Sequence, residues 1–195
     1  MKILFLSPPR PELQEYLSSF GDEVIRFEEP IENGMKILDH IDFVISFGYR
    51  HIIKKDLIEI FPGKIVNLHI SFLPWNRGSD PNLWSFLEDT PRGVSIHFID
   101  SGVDTGRIIA QREVEILEDD TLRTSYKRLT RELESLFRKE WPSMRDGHIK
   151  SIPQPPGGSY HRLKDRGSFE YLLKDGWDTP VRNLIGKAVK ECKKT

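Results

Sequence analysis

Two apolar segments of the chain contain polar side chains of types that donate hydrogen bonds or carry protons. Asn67 and His69 lie in a strand-like run (IVNLH, 65–69), and their i, i+2 spacing places both side chains on one face of a strand. His97 interrupts a second apolar run, and Asp104 follows it in a loop framed by glycines. Burial of polar groups in apolar strands costs free energy unless they have partners or a function.

An amide, an imidazole and a carboxylate can together stabilise a developing oxyanion and move a proton. Each residue taken alone also has an ordinary explanation. A buried Asn or His is usually hydrogen-bonded to the backbone, and an Asp beside Gly is usually a turn residue. No H-x-x-x-H pair or cysteine cluster has the spacing of metal ligands, so the sequence predicts no metal site.

The elements that must position these residues alternate between short apolar runs and amphipathic segments. We predict strands over 2–7, 23–28 and 42–47. Helices are expected over 11–20 and 55–60, because apolar residues recur there at helical spacing or Pro and Gly follow. The alternation predicts an α/β fold with a doubly wound sheet.

The second half of the chain continues this pattern. Residues 71–81 are predicted to be a loop rich in Gly, Pro and Asn, and Pro81 is expected to begin a helix. A strand is predicted over 108–116, and an N-cap cluster at 119–121 begins a long amphipathic helix that ends near Trp141.

The polar residues stand within a larger set of spaced motifs. These are N-L-H-x-S-x-L-P from Asn67, R-G from Arg77, G-V-S-I-H-F-x-D from Gly93 and V-D-T-G from Val103. Together they resemble the signature of folate-dependent formyltransferases, the family of glycinamide ribonucleotide transformylase, methionyl-tRNA formyltransferase and the nucleotide-sugar N-formyltransferases.

The resemblance implies a formyltransferase-type Rossmann-like fold with a doubly wound, mostly parallel sheet and a short C-terminal appendage. It implies transfer of a formyl group from 10-formyltetrahydrofolate to a primary amine, without a metal. Asn67, His69 and Asp104 would form the catalytic set. His97 would lie near the folate, as its counterpart does in some members of the family.

The resemblance also places the folate beside the loop that follows the third strand. The pterin wall would be Gly48, Tyr49, Arg50 and Ile52. On composition alone, Tyr49 and Ile52 are ordinary core residues, and His51 is expected at the surface. Trp75 and Arg77 lie in the loop that family members place beside the acceptor.

The acceptor is the least determined part of this prediction. The first strand-to-helix turn, SPPRPE, lacks the Gly-rich pattern that cradles a phosphate, which disfavours a phosphorylated ribotide. Arg10 in this turn can meet a phosphate but is more simply a solvated cation. A tRNA acceptor is disfavoured because those enzymes carry a further RNA-binding domain. We therefore predict a nucleotide-linked amino sugar or another small amine.

Bulk composition limits the partners. The 195 residues include 29 basic and 30 acidic side chains, giving a net charge of -1, which indicates neither nucleic acid nor an anionic membrane as a partner. No apolar run approaches the roughly 18 residues of a membrane span, and the lone Cys192 suits a reducing cytoplasm. The composition is compatible with a homodimer.

We predict a catalytic domain over 1–158 and a C-terminal appendage over 159–195 that packs on it or contacts a partner. Two other functions compete with formyl transfer. A formyltetrahydrofolate hydrolase would use the same three residues and release formate without an amine. A non-catalytic folate-binding module would need the pocket but not the catalytic set.

Overall fold

The computed structural model describes residues 1–191, so Cys192, predicted to be an exposed thiol, lies outside the described residues. The strands are β1 Lys2–Leu6, β2 Glu23–Phe27, β3 Phe43–Phe47, β4 Ile65–His69, β5 Arg77–Gly78, β6 Gly93–Phe98, β7 Ile108–Glu113 and β8 Tyr160–His161. The α-helices are α1 Pro11–Ser18, α2 Lys55–Ile60, α3 Pro81–Leu87, α4 Leu122–Arg145 and α5 Lys187–Glu191. Short 3-10 segments lie at Lys36–Leu38, Leu163–Leu172, Gly176–Asp178 and Val181–Asn183.

Six strands form one sheet in the order β2-β1-β3-β4-β6-β7. The pairs β1 with β2, β1 with β3, and β3 with β4 are parallel. The Ile99 N–H donates to the Ile65 carbonyl at 3.0 Å, which brings the end of β6 to the start of β4. The predicted α/β fold with a mostly parallel sheet is confirmed.

The chain forms two compact units. The first comprises Met1–His69, Ile96–Ile109 and Phe137–Pro153. In this unit, apolar residues that alternate along the strands pack on both sheet faces, as a doubly wound sheet requires. Leu4 and Val44 belong to the core cluster that includes Leu57 of α2. Their neighbour Phe43 instead makes an edge-to-face contact with Trp141 of α4, with ring centroids 5.4 Å apart.

The second unit comprises Ile70–Ser95, Ala110–Leu136 and the chain from Gln154 onward. Its core cluster joins α3 to the C-terminal segment through Leu83, Trp84, Phe86, Leu87, Leu122, Val181 and Leu184. The predicted cap of α4 is present. The Thr121 N–H donates to Thr124 Oγ1 at 2.8 Å, and the Thr124 N–H donates to Thr121 Oγ1 at 3.2 Å. These two reciprocal bonds satisfy N–H groups at the start of the helix.

Helix α4 continues to Arg145, past the predicted end near Trp141, although Pro142 lies inside it. A proline has no N–H to donate to the carbonyl four residues earlier, which is that of Arg138. The Tyr16 hydroxyl donates to this carbonyl at 2.8 Å. The long-range bond replaces the one that the proline removes, so the helix tolerates it.

The loop predicted over 71–81 differs from the structure in one respect. It contains β5, which pairs in parallel with β8 in a two-stranded sheet. The sequence gives no sign of this strand, because its partner lies far along the chain. No helix within residues 1–191 is both long and apolar enough to cross a membrane.

Candidate active site

Strand β4 carries two of the predicted site residues to the carboxyl edge of the sheet. The register pairs Ser46 with Asn67 and Phe47 with Leu68, so Asn67 and His69 lie at the end of the strand. His69 is 7% exposed, and Asn67 is half-buried. Open α/β sheets bind ligands at this edge.

The Asp104 carboxylate lies among three other polar side chains of the same unit. The Asn67 side-chain amide donates to Oδ1 at 3.1 Å. His69 Nδ1 lies 3.7 Å from Oδ2, and His97 Nε2 lies 3.5 Å from Oδ1. The structure therefore brings together the three polar residues of the apolar strands and Asp104, which is 13% exposed in the middle.

The contacts of His97 assign a hydrogen to one of its ring nitrogens. Its Nδ1 lies 2.7 Å from the Phe98 carbonyl, which can only accept, so Nδ1 carries a hydrogen. In the neutral ring, Nε2 is then an acceptor, and it lies 3.3 Å from the Asn67 amide nitrogen. The amide thus has one hydrogen for Asp104 and one for His97. Buried His97 fixes the orientation of Asn67.

The loop that carries Asp104 is held by contacts within itself. Asp100 Oδ1 accepts hydrogen bonds from the Gly102 N–H at 3.0 Å and from the Thr105 hydroxyl at 2.6 Å. At Gly106, a methyl group would overlap the carbonyl oxygen of Phe98. Asp104 has a left-handed backbone, with φ of 52°. This conformation turns the chain back toward β4.

The loop predicted to bind the pterin begins at the same sheet edge, directly after β3. Gly48 has φ of 67°, which suits glycine. Within residues 1–191, no backbone hydrogen bond uses the N–H groups of 48–53. These groups fit a planar, hydrogen-bonding ring held through the main chain. Ile52 is 74% exposed, so the alternative that it is a core residue is wrong.

Other side chains around this loop have defined positions. The Tyr49 hydroxyl donates to the Glu29 carbonyl at 2.7 Å, while Arg50 is exposed. His51 is at the surface, as predicted. The Arg10 guanidinium stacks on the Phe47 ring at 3.5 Å from its centroid, so it is not simply a solvated cation.

Trp75 and Arg77 lie in the second unit, in the loop 71–80. The start of this loop is held by Ser95, whose hydroxyl accepts from the Leu73 N–H at 3.1 Å and donates to the Ser71 carbonyl at 2.7 Å. Farther along, the Arg77 N–H donates to the Ser159 carbonyl at 3.0 Å. Both ends of the loop are therefore anchored.

The formyl transferase family model matches residues 27–139, more than half of the chain and including the four clustered polar residues. The chain belongs to this family.

Its relatives differ in length and in what they act on. A methionyl-tRNA formyltransferase of Myxococcus xanthus is 35% identical over 134 residues, covering 67% of this chain but 43% of that protein. The chain thus spans less than half of the length of that curated relative. A phosphoribosylglycinamide formyltransferase of Bacillus halodurans shares the fold, with a TM-score of 0.58 and 24% identity over 71% of this chain and 92% of its own.

The formyltransferase PseJ from Anoxybacillus kamchatkensis is similar over nearly all of this chain. Its crystal structure, a complex with UDP-4,6-dideoxy-4-formamido-L-AltNAc and tetrahydrofolate, superposes with a TM-score of 0.95. The two are 58% identical, over 96% of this chain and 100% of that one. The similarity therefore extends through the C-terminal segment.

No role was predicted for two residues that hold these loops, Asp100, which is the last residue of the G-V-S-I-H-F-x-D motif, and Ser159. Asp100 organises the 100–106 loop, and the D-x-G pattern from Asp100 to Gly102 is a turn signal that could have indicated this role. Ser159 anchors Arg77 from a segment predicted only as an appendage. No local pattern signals this contact, because its two halves are far apart along the chain.

Proposed function

We propose that this formyltransferase moves a formyl group from 10-formyltetrahydrofolate to the primary amine of a nucleotide-linked amino sugar. The observation that carries the chemistry is the convergence of Asn67 and His69 on the Asp104 carboxylate, with His97 beside Asn67. The choice of acceptor is supported by PseJ, whose structure holds a UDP-linked formamido sugar and tetrahydrofolate.

In the proposed mechanism, Asn67 and His69 donate hydrogen bonds to the formyl oxygen as it gains negative charge. Preorganised donors of this kind are worth about 3 to 4 kcal/mol each. The folate supplies the formyl carbon and a nitrogen that leaves from it. Asp104 orients the His69 imidazole and accepts, through a water, the proton that the amine loses when its nitrogen bonds to the formyl carbon. The same carboxylate returns a proton to the departing nitrogen.

The Asn67 amide must change one contact to act in this way, because Asp104 and His97 occupy both of its hydrogens. The 3.3 Å contact with His97 is the longer of the two and the weaker. We infer that the formyl oxygen replaces His97 as the acceptor. Before the formyl donor binds, His97 accepts a hydrogen bond from the Asn67 amide and keeps the amide aligned.

We place the pterin against Gly48, Tyr49, Arg50 and Ile52, where unused main-chain groups meet the sheet edge, with His97 nearby. The acceptor is assigned to Trp75 and Arg77. An indole offers a flat surface to a base or sugar, and a guanidinium suits a diphosphate. Three further points stay predictions: the domain boundary at residue 158, a homodimer and a cytoplasmic location. Light scattering will measure the oligomeric state.

The test is release of tetrahydrofolate from 10-formyltetrahydrofolate, without and with UDP-linked 4-amino sugars. We expect turnover only with the amine. In His69→Ala we expect a loss of about 10³-fold in kcat, because an oxyanion donor and its proton path are removed. His148→Ala, which removes an exposed histidine, is the control. Formate release without amine would instead show a hydrolase, and folate binding without turnover would show a non-catalytic module.

A further inference from the structure

The second unit contains a partly buried polar cluster that the proposed chemistry does not use. We call it the loop anchor: Asn76, Glu88, Thr90, Ser159 and His161. Glu88 Oε2 accepts from the Ser159 hydroxyl at 2.7 Å and from the Asn76 amide at 3.2 Å. Glu88 Oε1 lies 3.2 Å from His161 Nε2. The Thr90 hydroxyl donates to Asn76 Oδ1 at 2.8 Å, so Asn76 is held from both sides of its amide.

The loop anchor joins two segments that also meet through their backbones. The Ser79 N–H donates to the His161 carbonyl at 2.9 Å. At Gly78 a methyl group would overlap that same carbonyl, and at Gly158 it would overlap the Pro74 carbonyl. The 71–80 loop and residues 158–161 therefore approach each other more closely than side chains would allow.

His161 is fixed on its other face by an aromatic ring. Its imidazole stacks on Trp84 of α3, with ring centroids 3.7 Å apart and planes within 6°. The Trp84 ring is 4% exposed and belongs to the core of the unit. Glu88 directly follows α3, so α3 and its C-terminal cap supply the indole and the carboxylate that hold His161.

The electrostatics match an anchor built around a charged carboxylate. Burial raises the pKa of Glu88, but the contacts with His161 and Ser159 outweigh burial and hold that pKa below its ordinary value. Glu88 is therefore ionised at neutral pH. An ionised carboxylate accepts on both oxygens, whereas an amide in its place accepts on one.

We propose that Glu88 is a positioning residue for acceptor binding, and that residues 158–161 are part of the acceptor site. Glu88 holds Ser159, and the Ser159 carbonyl accepts from both the Arg77 N–H, at 3.0 Å, and Arg77 Nε, at 3.4 Å. These two bonds hold the Arg77 backbone and the base of its guanidinium in place before the acceptor binds. The Arg77 side chain therefore loses little conformational entropy on binding. The inference rests on the proposed function, because it assigns Arg77 to the acceptor.

The test compares Glu88→Gln with Glu132→Gln, which removes a carboxylate paired with Arg112 in the same unit. We expect the KM for a UDP-linked 4-amino sugar to rise about tenfold in Glu88→Gln, because the loop is no longer preorganised. The kcat at saturating acceptor and the Kd for folate should stay within about twofold of wild type. Glu132→Gln should keep all three values.

A double variant identifies the path of the effect. If Glu88 and His161 act through one contact, Glu88→Gln combined with His161→Gln raises the KM no more than the larger single change. Should Glu88→Gln fail to fold, Ser159→Ala removes the same link more mildly, and titration of UDP into the protein measures binding without catalysis.

An unchanged acceptor KM in Glu88→Gln and Ser159→Ala overturns the anchor. So does an equal loss of folate binding and acceptor binding, since that indicates a general structural role. Failure of the wild-type protein to formylate any amine overturns the proposed function instead, and UDP titration still tests the anchor on its own.

Discussion

The loop that carries Asp104 and the loop that carries Trp75 and Arg77 are held in opposite ways. In the 100–106 loop, Asp100 bonds Gly102 and Thr105, all within a few residues of one another. In the 71–80 loop, the anchors are Ser95, Glu88 and Ser159, which come from separate parts of the chain.

This difference separates two tasks. The first loop places one carboxylate against β4, and a short chain with the right glycines and turn residues can do so by itself. The second loop is longer and carries the large side chains of Trp75 and Arg77. Residues outside the loop must therefore hold its backbone in place. We infer that the conformation of the 100–106 loop depends on local sequence and that the position of the 71–80 loop depends on tertiary contacts. The following predictions test this division, from the largest effect to the smallest.

Asp104→Asn should abolish most activity. The amide keeps the size of the side chain but loses the charge and the proton acceptor, so kcat should fall about 10³-fold. Folate binding, measured by fluorescence titration, should stay close to wild type. A rate unaffected by this substitution would show that the loop is structural and that Asp104 has no part in proton transfer.

Gly106→Ala should cost about 10²-fold in kcat, because the methyl group displaces the loop from the Phe98 carbonyl and misplaces Asp104. The control is Gly167→Ala, where an added methyl group meets nothing within 4 Å. Steady-state kinetics of both variants provide the comparison. Equal activity in the two would refute the claim that local packing of this loop sets the carboxylate.

Ser95→Ala should weaken acceptor binding by the 71–80 loop and also lower the stability of the fold. It leaves the buried Leu73 N–H and Ser71 carbonyl without this partner, at a cost of about 1 to 3 kcal/mol in the free energy of unfolding. The acceptor KM should rise while the folate Kd does not. Ser85→Ala, which removes a buried hydroxyl bonded only within its own helix, is the control for denaturation.

The smallest expected effect is the pH dependence of the stability that Glu88 contributes. Because the pKa of Glu88 is below its ordinary value of 4.5, its ionised form stabilises the fold above that pH, and this contribution is lost as the pH falls through the lowered pKa. The Tm of wild type should exceed that of Glu88→Gln at neutral pH, with the gap closing in acid. Thermal unfolding of both proteins from pH 7 to about pH 3 measures the gap. A gap independent of pH would argue against an ionised anchor.

Much of the fold could be predicted because it depends on local patterns. The bounds of α2 follow from the Pro62-Gly63 stop and match the prediction, and the bounds of β2 and β3 differ from it by one residue. The predicted end of α4 was wrong because the hydroxyl of Tyr16, which is far away in the sequence, donates to the Arg138 carbonyl that Pro142 leaves unpaired. Strand β5 was missed for the same kind of reason, since its partner is β8.

The sequence by itself predicted which residues bear the chemistry. An amide and two imidazoles inside apolar strands, and an aspartate between glycines, stand out because burial of polar groups needs a reason. Only the tertiary structure decided how they combine. It directed both hydrogens of Asn67 to Asp104 and His97, and it brought the Ser159 carbonyl to the Arg77 N–H of the 71–80 loop. Hydrogen bonds depend on distances of a few tenths of an ångström, and such distances between remote residues exist only once the chain has folded.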